Sequence, residues 1–202
     1  MSTAAAPVRS GGVPHAAGQG TLADLLPASR TKDIALVVGG AVLTGIAAQI
    51  SVPVPGSPVP VTGQTFAALL VGTALGTRRG FLSLALYALA GMAGMPWFAE
   101  GTSGYAMPSF GYILGMLLAA TVVGALARRG ADRSVLRTAG SMVLGSAIIY
   151  AVGVPYLALA TGMTLAQAVS AGLVPFLVGD ALKAALAMGA LPTAWKLIGR
   201  RG

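Results

Sequence analysis

The sequence predicts an all-α integral membrane protein of six transmembrane helices, with both termini on the cytoplasmic side. Three observations lead there. The chain of 202 residues is 55% apolar and only 9% charged, where a soluble domain carries roughly 25% charge. Its mean hydropathy is +0.81. Its net charge of +8 is gathered into a few short clusters between long uncharged runs. So few charged side chains cannot give a fold of this size a polar surface.

The elements follow in order. Residues 1–20 are small, polar and rich in Gly and Pro, and they lack the apolar core of a signal peptide. They read as a mobile tail. In TLADLLP, Thr21 and Asp24 have capping-box spacing, which suits either a short interfacial helix or an ordinary linker. No charge occurs from Ile34 to Thr77, but prolines at 53, 55, 58 and 60 divide the run, because a helix interior does not tolerate them. The first two spans are therefore expected at about 34–50 and 61–77, and a third at 81–99. A Gly/Ser/Pro-rich segment separates these from a fourth at 111–127. The uncharged run from Thr138 to Gly179 divides near ATGMT, residues 160–164. It is about twice the roughly 20 residues one span needs, and it yields spans at 138–159 and 165–190. The expected organisation is an N-terminal segment 1–33, a membrane domain 34–195 and a short basic tail 196–202.

The charges fix a direction. Basic residues lie at Arg9, Arg30 and Lys32, at Arg78 and Arg79, at Arg128, Arg129, Arg133 and Arg137, and at Lys196, Arg200 and Arg201. Six spans put all of these on one side and leave Glu100 as the only charge in the opposite loops. That is the positive-inside pattern, with the basic side cytoplasmic in a cell membrane. Topology and anionic lipid account for the positive charge without nucleic acid.

Chemistry is tightly bounded. There is no cysteine, and the single histidine, His15, lies in the tail, so His- or Cys-based nucleophilic machinery within the membrane is excluded. No phosphate-binding GxxxxGK[ST] loop is present, and one membrane carboxylate makes neither a catalytic pair nor a two-metal site. No cofactor is expected, and the protein reads as a non-enzyme. What stands out is Asp180 with Lys183 inside the last span. Ionisable groups within the membrane face a cavity, a pathway or one another. The pair shares a helix face, so an internal ion pair or a snorkelling lysine is one reading. A ligand site is the other: the carboxylate accepts N–H groups, and the ammonium meets an oxygen or carboxylate. Gln64, Trp97 and Tyr112 lie towards the opposite side from the basic clusters. They suit a capped pocket, or an interfacial belt in the case of the aromatics and loop-carbonyl satisfaction in the case of Gln64. Small residues on the first helix, including Ala41 and Gly45, allow close helix approach, either within the bundle or to a second membrane protein.

Several segments taken together resemble the BioY family, the biotin-specific substrate-binding (S) components of energy-coupling-factor transporters. They are residues 44–99, with AAQISVPVPG, GQTFA, GTRRG and LYALAGMAGMPWF; residues 110–126, with FGYILG; and residues 174–187, with VPFLVGDALK. Their order and spacing match over nearly the whole chain after residue 34. The resemblance implies an S-component fold that captures biotin from the outer face with high affinity. It also implies partnership with a transmembrane coupling subunit and cytoplasmic ATPase subunits. The family's final-helix Asp and Lys correspond to Asp180 and Lys183. Gln64, Trp97 and Tyr112 occupy family motifs, and the family's coupling stripe A-x-x-x-A appears as Ala41 and Gly45. Departures are PSFGY with Phe110, a shorter glycine-rich segment before it, and Val178 before Gly179; they concern the lid more than the ligand. Alternatives are an S component or carrier for another small solute, and a membrane scaffold without transport.

Overall fold

A computed structural model describes residues 20–199; Arg9, His15, Arg200 and Arg201 lie outside these. A single 3₁₀ turn, Leu22–Leu25, carries the expected capping box, Asp24 Oδ2 accepting from the Thr21 amide at 2.9 Å and its hydroxyl at 3.0 Å. Helix α1, Arg30–Ala48, starts earlier than the sequence boundary because the Ser29 hydroxyl accepts from the Lys32 amide. The proline loop is closed by two short strands, β1 (Ser51–Val52) and β2 (Val61–Thr62), antiparallel with Ser51 opposite Thr62. Then come α2 (Gln64–Met92), α3 (Phe110–Arg128), α4 (Val135–Thr161), α5 (Leu165–Gly172) and α6 (Leu177–Gly199).

The expectation of six transmembrane helices is corrected here. Among the described residues, four helical stretches are long and apolar enough to cross a membrane: Arg30–Ala48, Phe110–Arg128, Val135–Thr161 and Leu165–Ile198. With α2 these make five helices, α5 and α6 being pieces of one apolar stretch interrupted at Leu173, Val174 and Pro175. The second and third expected spans are instead the two arms of α2. The chain doubles back at Gly76, whose φ of 81° and ψ of 179° leave the helical region. The reversal is measurable: Tyr87 Oη donates to Gln64 Oε1 at 2.8 Å, residues that an unbroken helix would hold more than about 30 Å apart. Each arm is shorter than the roughly 20 residues a spanning helix needs.

Small residues make the hairpin possible. A methyl group on Gly80 would lie 2.9 Å from the Gly72 Cα across the turn, and one on Gly72 would lie 2.4 Å from the Ala120 carbonyl oxygen of α3. Gly124 likewise abuts the Gly76–Thr77 backbone. Backbone-to-backbone contact of this kind is how helices associate where lipid removes the hydrophobic drive. The core around it holds Tyr87, Leu84, Met116, Ala119, Ala120 and Val123, all fully buried. The periphery is apolar, with Ile46 62%, Leu89 63%, Val143 66%, Leu159 85% and Val178 81% exposed. In water such a surface would aggregate; in a bilayer it is the lipid face.

The ends of the bundle differ in chemistry. At one end Arg79 binds Asp24 at 2.8 Å and Asp33 at 2.9 Å, Arg133 donates to the Gly20 carbonyl, and Trp195 donates to Asp132 at 2.6 Å. The charged turns therefore collect together. The proline loop and the segment after α2 meet at the other end, where Gln49 Nε2 donates to the Trp97 and Phe98 carbonyls, both at 3.1 Å.

Candidate binding site

The break before α6 places the charged pair. Pro175 cannot continue α5, and α6 restarts at Leu177, so Asp180 falls in its first turn. Asp180 Oδ1 then accepts from Lys183 Nζ at 3.2 Å, and the two side chains are 16% and 18% exposed. Both charges have further partners: Tyr150 of α4 donates its hydroxyl to Asp180 Oδ2, and Lys183 Nζ donates to Thr65 Oγ1 at 2.7 Å. The pair thus ties α6 to α4 and to the start of α2. An ammonium, a phenol and a carboxylate in one cluster satisfy the requirement that buried charge be paired and hydrogen-bonded.

This cluster borders a cavity of about 650 Å³ between α4, α5 and α6. Its walls are mainly apolar, including Val154, Leu173, Leu177 and Ala184, with Tyr150, Ser146 and Asp180 as the polar groups. Lys183 does not line it. The ammonium lies instead beside a much smaller pocket with Thr65, Phe66 and Ser146. Asp180 belongs to both, so the carboxylate is the charge presented to the larger space.

Behind the carboxylate stands an aromatic cluster. Tyr112 stacks on Phe176 with centroids 6.4 Å apart, and Tyr150 meets both rings edge-on at 6.4 and 6.5 Å. Tyr112 is 4% exposed, and its hydroxyl donates to the Gly172 carbonyl at 2.7 Å, capping α5. Two glycines make room for it, since methyl groups on Gly153 and Gly172 would lie 2.5 Å and 2.2 Å from the Tyr112 side chain. Of the residues anticipated from the sequence, the structure brings Asp180, Lys183 and, through Tyr150, Tyr112 together.

Gln64 and Trp97 form a separate group. Gln64 accepts from Tyr87, and Trp97 Nε1 donates to the Tyr87 carbonyl at 3.0 Å. Trp97 also fills the space over Gly45, where a methyl group would lie 3.0 Å from the indole. Ala41 is fully buried, and Gly45 is buried too. These two small residues face the chain's own bundle in this structure. Sequence reasoning missed Tyr150, Thr65 and the loop-clamping Gln49. Thr65 adjoins Gln64 in the quoted GQTFA segment, but a tyrosine in an apolar run, as at Tyr150, carries no signal of its partner.

The known proteins agree in one direction. The model of the BioY family matches residues 19–200. The "Probable biotin transporter BioY" of Pyrococcus horikoshii is 36% identical over 162 residues, 79% of this chain and 93% of that one. The "Biotin transporter BioY" of Thermotoga maritima is 37% identical over 145 residues, 70% and 83% of the two chains. A solved structure, the S-component for biotin from an ECF-type ABC transporter, superposes with a TM-score of 0.74 at 20% identity, covering 84% of this chain and 95% of that one. That likeness establishes a shared fold.

Proposed function

The chain belongs to the BioY family, and on that premise we propose that it is the biotin-binding membrane subunit of an ATP-driven vitamin uptake transporter. It is a transport subunit and performs no covalent chemistry. The observation that carries the reading is the Asp180 carboxylate at the wall of the 650 Å³ apolar cavity. Biotin has matching halves: ureido N–H donors for a carboxylate, and a thiophane ring with an aliphatic chain for apolar walls. Few convergent polar groups in an otherwise apolar cleft is the usual build of a small-molecule site.

Asp180 accepts a ureido N–H, because it is the charge that faces the cavity. Lys183 acts on it as a positioning residue, since its ammonium is already engaged by Thr65 and Asp180. Tyr150 fixes the second carboxylate oxygen, and Tyr112 with Phe176 forms the backing. Gln64 and Trp97 act at a distance, by setting the loop after α2 through Tyr87.

Capture is from the outer face. The separation of charged turns from proline and aromatic loops supports this direction, with both termini on the cytoplasmic side. This chain carries no nucleotide motif, so hydrolysis belongs to separate ATPase subunits acting through a transmembrane coupling subunit. Docking of that subunit on Ala41 and Gly45 requires both to be uncovered, since each is buried and Trp97 lies over Gly45. Titration of the purified protein in detergent with labelled biotin tests the assignment, with thiamine and riboflavin as competitors. Saturable binding displaced by biotin alone is expected. Displacement by another vitamin, or no saturable binding by folded protein, overturns it.

A further inference from the structure

A second cavity, of about 620 Å³, lies at the opposite end of the molecule, between α1, the turn of α2 and the end of α3. Arg30, Arg78, Arg79 and Arg128 line it with Asp24 and Asp33. Arg79 engages both aspartates at 2.8 and 2.9 Å, and Thr21 engages Asp24 as well. The acidic groups are thereby occupied, while Arg30, Arg78 and Arg128 make no ion pair among the described residues. The remaining wall is aliphatic and open to the outside: Ile34 is 65%, Val38 45% and Leu82 41% exposed. Arginines without an ion pair among the described residues therefore line the same groove as an exposed aliphatic wall.

We propose that this groove binds one anionic phospholipid, its phosphate between Arg78, Arg128 and Arg30 and its acyl chains along Ile34, Val38 and Leu82. Guanidinium groups suit phosphate because their N–H forks match its oxygens. Basic pockets between membrane helices on the cytoplasmic side are where anionic headgroups settle. A free phosphate would satisfy the arginines and leave the aliphatic wall without a partner. An acidic protein segment would match the charge, but not a wall that opens laterally towards lipid. The bound lipid would brace the α2 turn against α1, adding to the Arg79–Asp33 pair. The site is distant from Asp180 and independent of the biotin reading.

The test uses the whole protein, delipidated in detergent and titrated with short-chain phosphatidylglycerol, phosphatidylcholine or inorganic phosphate. Native mass spectrometry and the thermal midpoint are the readouts. The double variant Arg78→Gln/Arg128→Gln is compared with Arg129→Gln/Arg137→Gln, which removes equal charge from the same end outside the groove. Phosphatidylglycerol should bind saturably at one site, with phosphatidylcholine at least tenfold weaker. The groove variant should lose roughly fivefold per arginine, about twenty-five-fold in all, and the outer variant should bind as the wild type does. Equal losses in the two variants would mean diffuse surface attraction and overturn the proposal. Displacement by inorganic phosphate at matching concentration would overturn the lipid assignment. So would a co-purifying protein, in place of phospholipid, that disappears with the groove variant.

Discussion

At the scale of single residues, the carboxylate of Asp180 matters for the company it keeps. Tyr150 and Lys183 each donate to a different oxygen of it, so the two contributions can be separated. A hydrogen bond to a charged group is worth about 1.5–3 kcal/mol. Asp180→Asn should therefore weaken biotin binding by about one to two orders of magnitude, read by titration, while the protein still elutes as one folded species. Tyr150→Phe should lose less, about tenfold, because Lys183 continues to hold the carboxylate. Equal, small effects from both would place the ligand elsewhere. A second carboxylate gives a pH test outside the membrane. Asp132, in the turn between α3 and α4, is 1% exposed. Loss of water holds its carboxyl above the usual range, opposed by the Trp195 N–H and the charge of Arg133. A raised value means that the folded state binds the proton more tightly. Its contribution to stability is then complete below the unfolded value, about 3.9, and is lost as pH rises through the folded one. Thermal midpoints measured from pH 4 upward should fall more steeply for the wild type than for Asp132→Asn, whose amide oxygen still accepts from Trp195. Parallel curves would show that Asp132 does not titrate in this window. The two aspartates also differ in legibility. Asp180 is conspicuous in a run of Ala, Leu and Gly, whereas Asp132 lies among the arginines of a basic loop, where a carboxylate draws no attention. Nothing local announced that Trp195, far along the chain, would cover it.

At the scale of elements, the α2 hairpin is where sequence and structure part. GTRRG has the composition of a loop between spans, and the break was anticipated close to its true position. What could not be read was the tightness of the reversal at Gly76, with helix on both sides. It depends on which backbones the small residues meet, and spacing alone does not name the partner helix. Methyl groups on Gly72, Gly80 and Gly124 would lie 2.4–2.9 Å from backbone atoms of neighbouring segments, whereas one on Gly39, also within a helix, would have nothing within 4 Å. Gly72→Ala should therefore destabilise by about 1–3 kcal/mol, since backbone on both sides must shift. Gly39→Ala should be neutral or stabilising by about 0.5–1 kcal/mol, because alanine has the greater helix propensity. Unfolding in detergent, followed by the loss of helical circular dichroism, distinguishes them. Equal stability of the two variants would mean that the hairpin is looser than drawn.

At the scale of the whole molecule, function depends on the two ends being different. The loops at one end are tied together by Gln49 and by Tyr156, whose hydroxyl donates to the Tyr105 carbonyl at 2.9 Å. The other end is bound by the Arg79 pairs and by Trp195 with Asp132. The candidate ligand cluster lies nearer the first end, within the opening turn of α6 and beside the first residues of α2. Capture from outside thus requires the loop end to face outward, and the basic clusters give the same direction from the separate physics of membrane insertion. The absence of native cysteine makes this directly measurable. Ser103→Cys, at an exposed position in the loop after α2, and Ser134→Cys, at the exposed cap of α4, give one thiol each. In right-side-out vesicles, a membrane-impermeant maleimide should label the first at once and the second only after permeabilisation. The reverse pattern would put the Asp180 end inside and remove the basis for uptake. Labelling of both thiols before permeabilisation would place the two ends on one side, which the separation of α4's termini along the bundle does not allow.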